Sequence, residues 1–465
     1  MDISAFSLDL LVIGVLFFIG VLFTRIISKS FEYSAMLSLA FPLGTGLLTL
    51  IILILWWLGV PDLRVTFVYV SLILIIGLWA ISARGTSRPK WAPKLILSKI
   101  RSQDPLSKVF LIIISSFLLI AFVISVGRSY SVWDAVAVFS VKGYGIALEN
   151  SIDGARTWGS QGLTYPLNIP LLISFFRMTS GDLLPGSKLI FPLYLLSILI
   201  ASYRFWRLFS VRRIYSFLGV LLLASVPILF EHATIGYTNL PLAAYLTLAV
   251  IWGIEGIYTR DPRPQIVSSL LFGFAAWIRP EGILYSLMGM FAVILISRIM
   301  KQGLIDLRRF TFPFLIIGVT WMAFYSINGG ADSQAMGGVN AAMNSFSNGN
   351  YDIDQLLTII RFAVRSILRT KVWGMLFVVS FILIARWLIS KQRANAQILI
   401  TALVASIALG SVSLLLFYLG QFDNEPDFLF GWLQRGFTRT FIPSSIMIGI
   451  TGILATAGPV KKGRV

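Results

Sequence analysis

Predominantly apolar stretches of 17 or more residues recur from one end of this chain to the other. Each is long enough to cross a hydrocarbon core of roughly 30 Å as a helix. No other feature restricts the fold as much. Inside a bilayer every backbone N–H and C=O must be satisfied within the protein, which leaves only helices and closed barrels. Barrel strands are short and alternate in polarity, and these stretches do neither. The fold class is therefore all-α, a polytopic membrane protein. With 57% hydrophobic and 12% charged residues over 465 positions, the chain carries far more apolar surface than a soluble domain can bury.

Thirteen spans are expected, near 8–28, 34–58, 64–82, 109–127, 187–203, 214–230, 240–258, 264–280, 283–298, 310–327, 372–390, 397–420 and 438–457. The first is expected to be a retained span and not a cleaved leader, because Asp2 and Asp9 stand where a basic region would be needed and no small-residue cleavage site follows. With no cysteine, disulfides, thiolate nucleophiles and thiolate metal sites are excluded.

The formal charge of +18 is an orientation signal. Alternate connections hold 25 of the 38 basic residues but five of the 20 acidic ones. The positive-inside rule assigns those connections to the cytoplasm, with the N-terminus outside and the C-terminus inside. The charge thus faces anionic headgroups, and no nucleic-acid partner is implied.

No linker or internal repeat divides the chain, which reads as three N-terminal spans with a basic loop (1–108), a main membrane module (109–457) and a cytoplasmic tail (458–465). Three extracytoplasmic segments are long: 128–186, 328–371 and 421–437. The first should carry an amphipathic helix over 134–149, with Val136, Phe139, Val141 and Tyr144 on its apolar side and Lys142 and Glu149 among the polar positions. Residues 329–350, rich in Gly, Asn, Ser and Ala, suit a lid or a loose connection.

The unusual polar residues gather on the outer side. Asp134 follows the fourth span, and Lys142 and Tyr165 share its loop. Glu231 and His232, the only histidine, end the sixth span; Tyr237 and Asn239 open the seventh. Arg279 and Glu281 lie between the eighth and ninth, and Arg435 and Arg439 approach the thirteenth. Each has a plain structural counterpart. Asp134 could merely terminate a helix, His232 could be a packing hydrogen-bonder, Arg279 and Glu281 could pair with each other beside the helix-breaking Pro280, and Arg435 and Arg439 could snorkel to headgroups. Only Asp423, Glu425 and Asp427 form a close acidic cluster, better read as a solvated loop than as a metal site. No phosphate-binding Gly-Lys loop is present.

Trp133-Asp134, then Lys142, then Tyr165-Pro166 in the first large outer loop resembles the loop of GT-C type membrane glycosyltransferases. Within that family the pattern is similar to that of the bacterial protein mannosyltransferase-like and aminoarabinose transferase-like members, which use polyprenyl-phosphate sugars. Gly236-Tyr237-Thr238-Asn239-Leu240-Pro241-Leu242-Ala243 resembles their Gly-Tyr-x-Asp-Leu-Pro-Leu-Ala motif. Arg279-Pro280-Glu281-Gly282 is similar to their Lys/Arg-x-Glu-Gly turn, and Arg439 ahead of Phe441-Ile442-Pro443 to their arginine before the last span. The likeness covers about residues 109–457 and departs in two ways: Asn239 stands where Asp is usual, and three spans precede the helix that is first in simpler members.

The resemblance implies a multi-span enzyme of a bacterial plasma membrane with an extracytoplasmic site. Its partners are a polyprenyl-phosphate sugar donor, a lipid, glycan or protein acceptor, and the surrounding lipid. A phosphate-linked sugar carries its own leaving group, so the needs are a base for the acceptor hydroxyl and positive charge for the departing phosphate. Asp134 is the expected base, which predicts inversion at the sugar carbon. Arg279, then Arg439 and Lys142, are the expected phosphate ligands, since guanidinium binds phosphate oxygens in pairs. Glu281 would orient Arg279, and Tyr165, Glu231, His232, Tyr237 and Asn239 would line or orient the substrate. No cofactor is called for, with a divalent cation the one auxiliary group left open and no metal ligands assigned. The competing classes are a lipid-sugar flippase or carrier and an O-antigen ligase or polymerase. Carriers usually place ionisable groups at mid-membrane and show inverted repeats.

Overall fold

The computed structural model describes residues 3–83, 104–181, 185–299, 306–328, 353–390, 396–419, 433–434 and 436–458. Residues 84–103 of the basic loop, the stretch 329–352, the acids Asp423, Glu425 and Asp427, Arg435 and the basic tail lie outside these. The regular elements among the described residues are all helical. In chain order the longer ones are α1 (Ile3–Ile27), α2 (Tyr33–Trp57), α3 (Leu63–Ala83), α4 (Pro105–Gly127), a π-helix (Asp134–Ser140), α5 (Val141–Glu149), α6 (Asn168–Ser180), α7 (Ile190–Leu208), α8 (Arg213–Ala224), α9 (Pro227–Ile235), α10 (Asn239–Thr259), α11 (Pro262–Ala276), α12 (Gly282–Ile299), α13 (Leu307–Ile327), α14 (Ile353–Ile367), α15 (Leu376–Ile389), α16 (Ala396–Leu419) and α17 (Ile442–Leu454).

Each of the thirteen apolar stretches is helical, but they are not equal. Among the described residues nine helices are long and apolar enough to cross a bilayer, or ten if α8 and α9 form one bent span. The rest are cut short by local chemistry. Between α8 and α9 the axis turns by 58°. Pro227 opens α9 and forces Val226 before it out of helical geometry, to φ −66° and ψ 116°. α11 ends three residues before the Arg279-Pro280 turn. α15 starts only after Gly374, whose φ of 56° no helix continues through. α11, α15 and α17 have 15, 14 and 13 residues, which at about 1.5 Å per residue is short of a full crossing.

α10 is the central helix and is apolar on every side, as a helix surrounded by protein should be. It packs on α7, α11, α12 and α17. The three N-terminal helices join this same core. Thr45 of α2 hydrogen-bonds the hydroxyls of Tyr194 on α7, at 2.9 Å, and Tyr245 on α10, at 3.0 Å. Such hydroxyl pairs hold helices together where lipid offers no competing water. α1 and α2 lie in backbone contact: a methyl group at Gly20 would sit 1.7 Å from the Ala40 carbonyl oxygen. Small residues at that crossing are obligatory.

The first large loop departs from the expected amphipathic pattern. Phe139 is buried as anticipated, but Lys142 is fully buried too. Lys142 follows Phe139 by three residues and precedes Ile146 by four, so helical spacing puts it on the same buried side as both, and not among the solvated positions with Glu149.

Candidate functional site

Turns between helices meet at one end of the bundle, the end where α10 begins. Asp134 opens the π-helix, Tyr237 and Thr238 lie between α9 and α10, Arg279 and Glu281 lie between α11 and α12, and Arg439 precedes α17. One oxygen of the Asp134 carboxylate, Oδ2, accepts a hydrogen bond from the Tyr237 hydroxyl and an ion pair from Arg439 Nη1 at 3.3 Å. Its other oxygen has no hydrogen bond from a described residue, and the side chain is 31% exposed. The Arg439 guanidinium lies 4.9 Å over the Tyr237 ring, a cation–π contact that fixes its plane.

Asn239 ties this group to the second arginine. Its amide nitrogen donates to the Arg439 carbonyl at 3.2 Å, and its amide oxygen accepts from Arg279 Nη1, also at 3.2 Å. An aspartate, acceptor only, could not make both bonds. The departure from the usual motif therefore has a local structural use. Arg279 also donates to Thr238 Oγ1 at 3.0 Å and, through Nε, to Glu281. The pairing of Arg279 with Glu281 is real, yet it does not consume the guanidinium, which holds four partners on three elements when Tyr165 is counted.

Tyr165 forms the floor between cations. Arg279 Cζ is 5.8 Å and Lys142 Nζ 5.4 Å from its ring centre. Lys142 has no hydrogen-bond partner among the described residues. Burial pushes its amine down to about 7, so a small change of surroundings switches its charge. Burial also works against the charge of Arg279, but the carboxylate of Glu281, followed by Tyr165 and Asp134, outweighs it and holds the guanidinium above its ordinary value. For Arg439 burial wins over Asp134 and the direction is downward. Tyr165 is raised by burial and keeps its proton. Two arginines face two carboxylates, so Lys142 decides whether the cluster carries a net positive charge.

His232 is buried with its ring 5.1 Å from that of Tyr237, and its Nδ1 has no partner among the described residues. It packs behind the cluster. Glu231, its neighbour, is exposed and makes no ion pair with a described residue. Of the ten residues given a role in the site from the sequence, Glu231 alone makes no side-chain hydrogen bond, ion pair or ring contact with the group. Three contributors were not singled out. Thr238 lies within the quoted motif and binds Arg279. Tyr285 and Ser413 both donate to the Thr440 carbonyl, at 2.7 and 3.1 Å, and so hold the strand of chain that carries Arg439. In the sequence Tyr285 is one more aromatic in an apolar span, and nothing distinguishes it.

Among the described residues no three His, Asp or Glu side chains are grouped to hold a metal ion. An apolar groove of about 500 Å³ runs between α1, α4 and α7, lined by Leu10, Ile13, Val123, Val126, Leu189 and Leu193. Gly127 also lines it, and three residues further along the chain the Tyr130 ring packs on Gly236 beside Tyr237. No protein-family model matches the chain, and comparison with curated proteins and with solved structures likewise finds no match.

Proposed function

We propose that this protein is an integral membrane glycosyltransferase of the GT-C type. It transfers a sugar from a polyprenyl-phosphate donor to an acceptor hydroxyl at the extracytoplasmic face, with inversion. The observation that carries the reading is the Asp134 carboxylate, fixed through one oxygen by Tyr237 and Arg439, with the other oxygen unengaged by the described residues and two further cations beyond. A base needs one free acceptor atom held in a set direction. A departing phosphate needs fixed positive charge that costs no reorganisation when the bond breaks.

In this reading Asp134 Oδ1 takes the proton of the acceptor hydroxyl as its oxygen attacks the sugar carbon, and the carbon–oxygen bond to phosphate breaks with its electrons. Arg279 receives the phosphate, held for it by Glu281, Thr238 and Asn239. Lys142 adds the third positive charge once an anion draws its proton on. The apolar groove beside α4 offers a bed for a long isoprenoid chain whose phosphate end would reach the cluster past Tyr130.

The test uses the full-length protein in membranes with a polyprenyl-phosphate sugar donor. Asp134→Asn is expected to lower turnover by roughly 10²–10⁴-fold while donor binding persists. Near-normal turnover in folded protein would remove Asp134 as the base. Arg279→Ala is expected to lose donor affinity, and unchanged affinity would remove its phosphate role.

A further inference from the structure

α14 has three distinct sectors around its axis. Ile359, Phe362, Ala363 and Ser366 face inward, and the Phe362 ring meets Phe437, two residues from Arg439, at 6.0 Å. That contact fixes α14 at the end of the bundle where the Asp134 cluster lies. Next around the axis come Ile353, Leu356, Leu357, Ile360 and Val364, all exposed, followed along the chain by Leu368. The remaining sector holds Asp354, Thr358, Arg361 and Arg365, also exposed.

A helix of 15 residues, about 22 Å long, with arginines in its second half cannot cross a bilayer. Nor would a continuous stripe of exposed Leu, Ile and Val of this length suit water. Beyond the helix Leu368 and Met375 are exposed, as are Val378, Phe381 and Ile382 of α15, the apolar helix that follows. Between 353 and 371 the charged residues are Asp354 against Arg361, Arg365, Arg369 and Lys371, the cationic polar side that interfacial helices present to anionic headgroups.

We propose that α14 is an interfacial helix. It lies in the headgroup layer with its apolar sector among the acyl chains, and Arg361 and Arg365 bind anionic phospholipid headgroups. The proposal does not depend on the transfer chemistry above.

The chain has no cysteine, so single thiols report cleanly. Ile360→Cys and Thr358→Cys, on the apolar and polar sectors, are labelled with a thiol-reactive fluorophore in the full-length protein in nanodiscs. The label at 360 is expected to be quenched by doxyl-labelled phospholipid and shielded from iodide, and the label at 358 the reverse. Equal iodide quenching at both would overturn the interfacial placement. So would a label at 360 shielded from both quenchers, which means a second protein surface covers the stripe. With spin-labelled phosphatidylglycerol, quenching at 360 is expected to exceed that with spin-labelled phosphatidylcholine, and Arg361→Gln with Arg365→Gln to abolish the difference. Equal quenching by the two lipids in the unmodified arginine background would overturn the anionic preference.

Discussion

Arg439 reaches Asp134 at 3.3 Å although 305 residues of chain separate them, and its guanidinium is stacked on Tyr237, the residue whose hydroxyl donates to the same carboxylate oxygen. The three side chains make one unit. Asp134 is oriented by two donors on one oxygen, and Arg439 is oriented by the ring of one of those donors.

Tyr237→Phe separates these roles. The ring, and with it the cation–π support of Arg439, remains; only the hydrogen bond to Asp134 is lost. Stability should change by about 1 kcal/mol or less, while turnover with a polyprenyl-phosphate donor falls by about tenfold, as the carboxylate gains freedom. Parallel thermal unfolding and turnover measurements decide it. Unaltered turnover would mean that this hydrogen bond does not orient the base.

Asn239→Asp restores the acid usual in the motif and is expected to be harmful here. It removes the donor to the Arg439 carbonyl and sets a carboxylate against that oxygen. The attraction gained with Arg279 offsets part of the loss. The expected cost is about 1–2 kcal/mol, measurable as a lower denaturation midpoint. A variant at least as stable as the parent would show that the Asn239–Arg439 link contributes nothing.

Lys142→Met should change the pH dependence of stability in a defined direction. Burial lowers the folded-state value of Lys142 to about 7, against an ordinary 10.5. Below pH 7 the amine is charged in both folded and unfolded chains, and the full cost of burying the charge applies. Above pH 7 the folded chain loses the proton first, so the unfolded chain binds more protons and stability rises with pH, by at most about 1.4 kcal/mol per pH unit. Lys142→Met should therefore be the more stable protein near pH 6, with the difference shrinking toward pH 9. A constant difference across that range would refute a lowered Lys142.

Gly236→Ala tests the turn that presents Tyr237. Gly236 has φ of 86°, and a methyl there would sit 2.5 Å from the Tyr130 ring. Backbone strain and the displaced ring together should cost about 2 kcal/mol, and turnover should fall as Tyr237 moves. Unchanged stability would mean that Tyr130 can yield without cost.

The membrane architecture was legible because it rests on composition over long windows: 17-residue apolar stretches can satisfy their backbones in lipid only as helices, whatever surrounds them. Which side chains gather at this end of the bundle was also largely legible, since Asp134, Arg279, Glu281 and Arg439 are charged residues where an apolar chain has no local need of them. Short-range punctuation set limits on that reading. Pro227 bends the sixth stretch, a break that hydrophobic periodicity does not reveal. Partnership was decided by tertiary structure alone. That Asn239 bridges two arginines, that Tyr165 lies between Arg279 and Lys142, and that Tyr285 and Ser413 hold the chain at Thr440 depend on contacts between residues tens to hundreds of positions apart. The sequence determined which groups must avoid lipid. Packing around α10 determined which of them meet, because a buried polar group has to find its partner wherever the fold brings one.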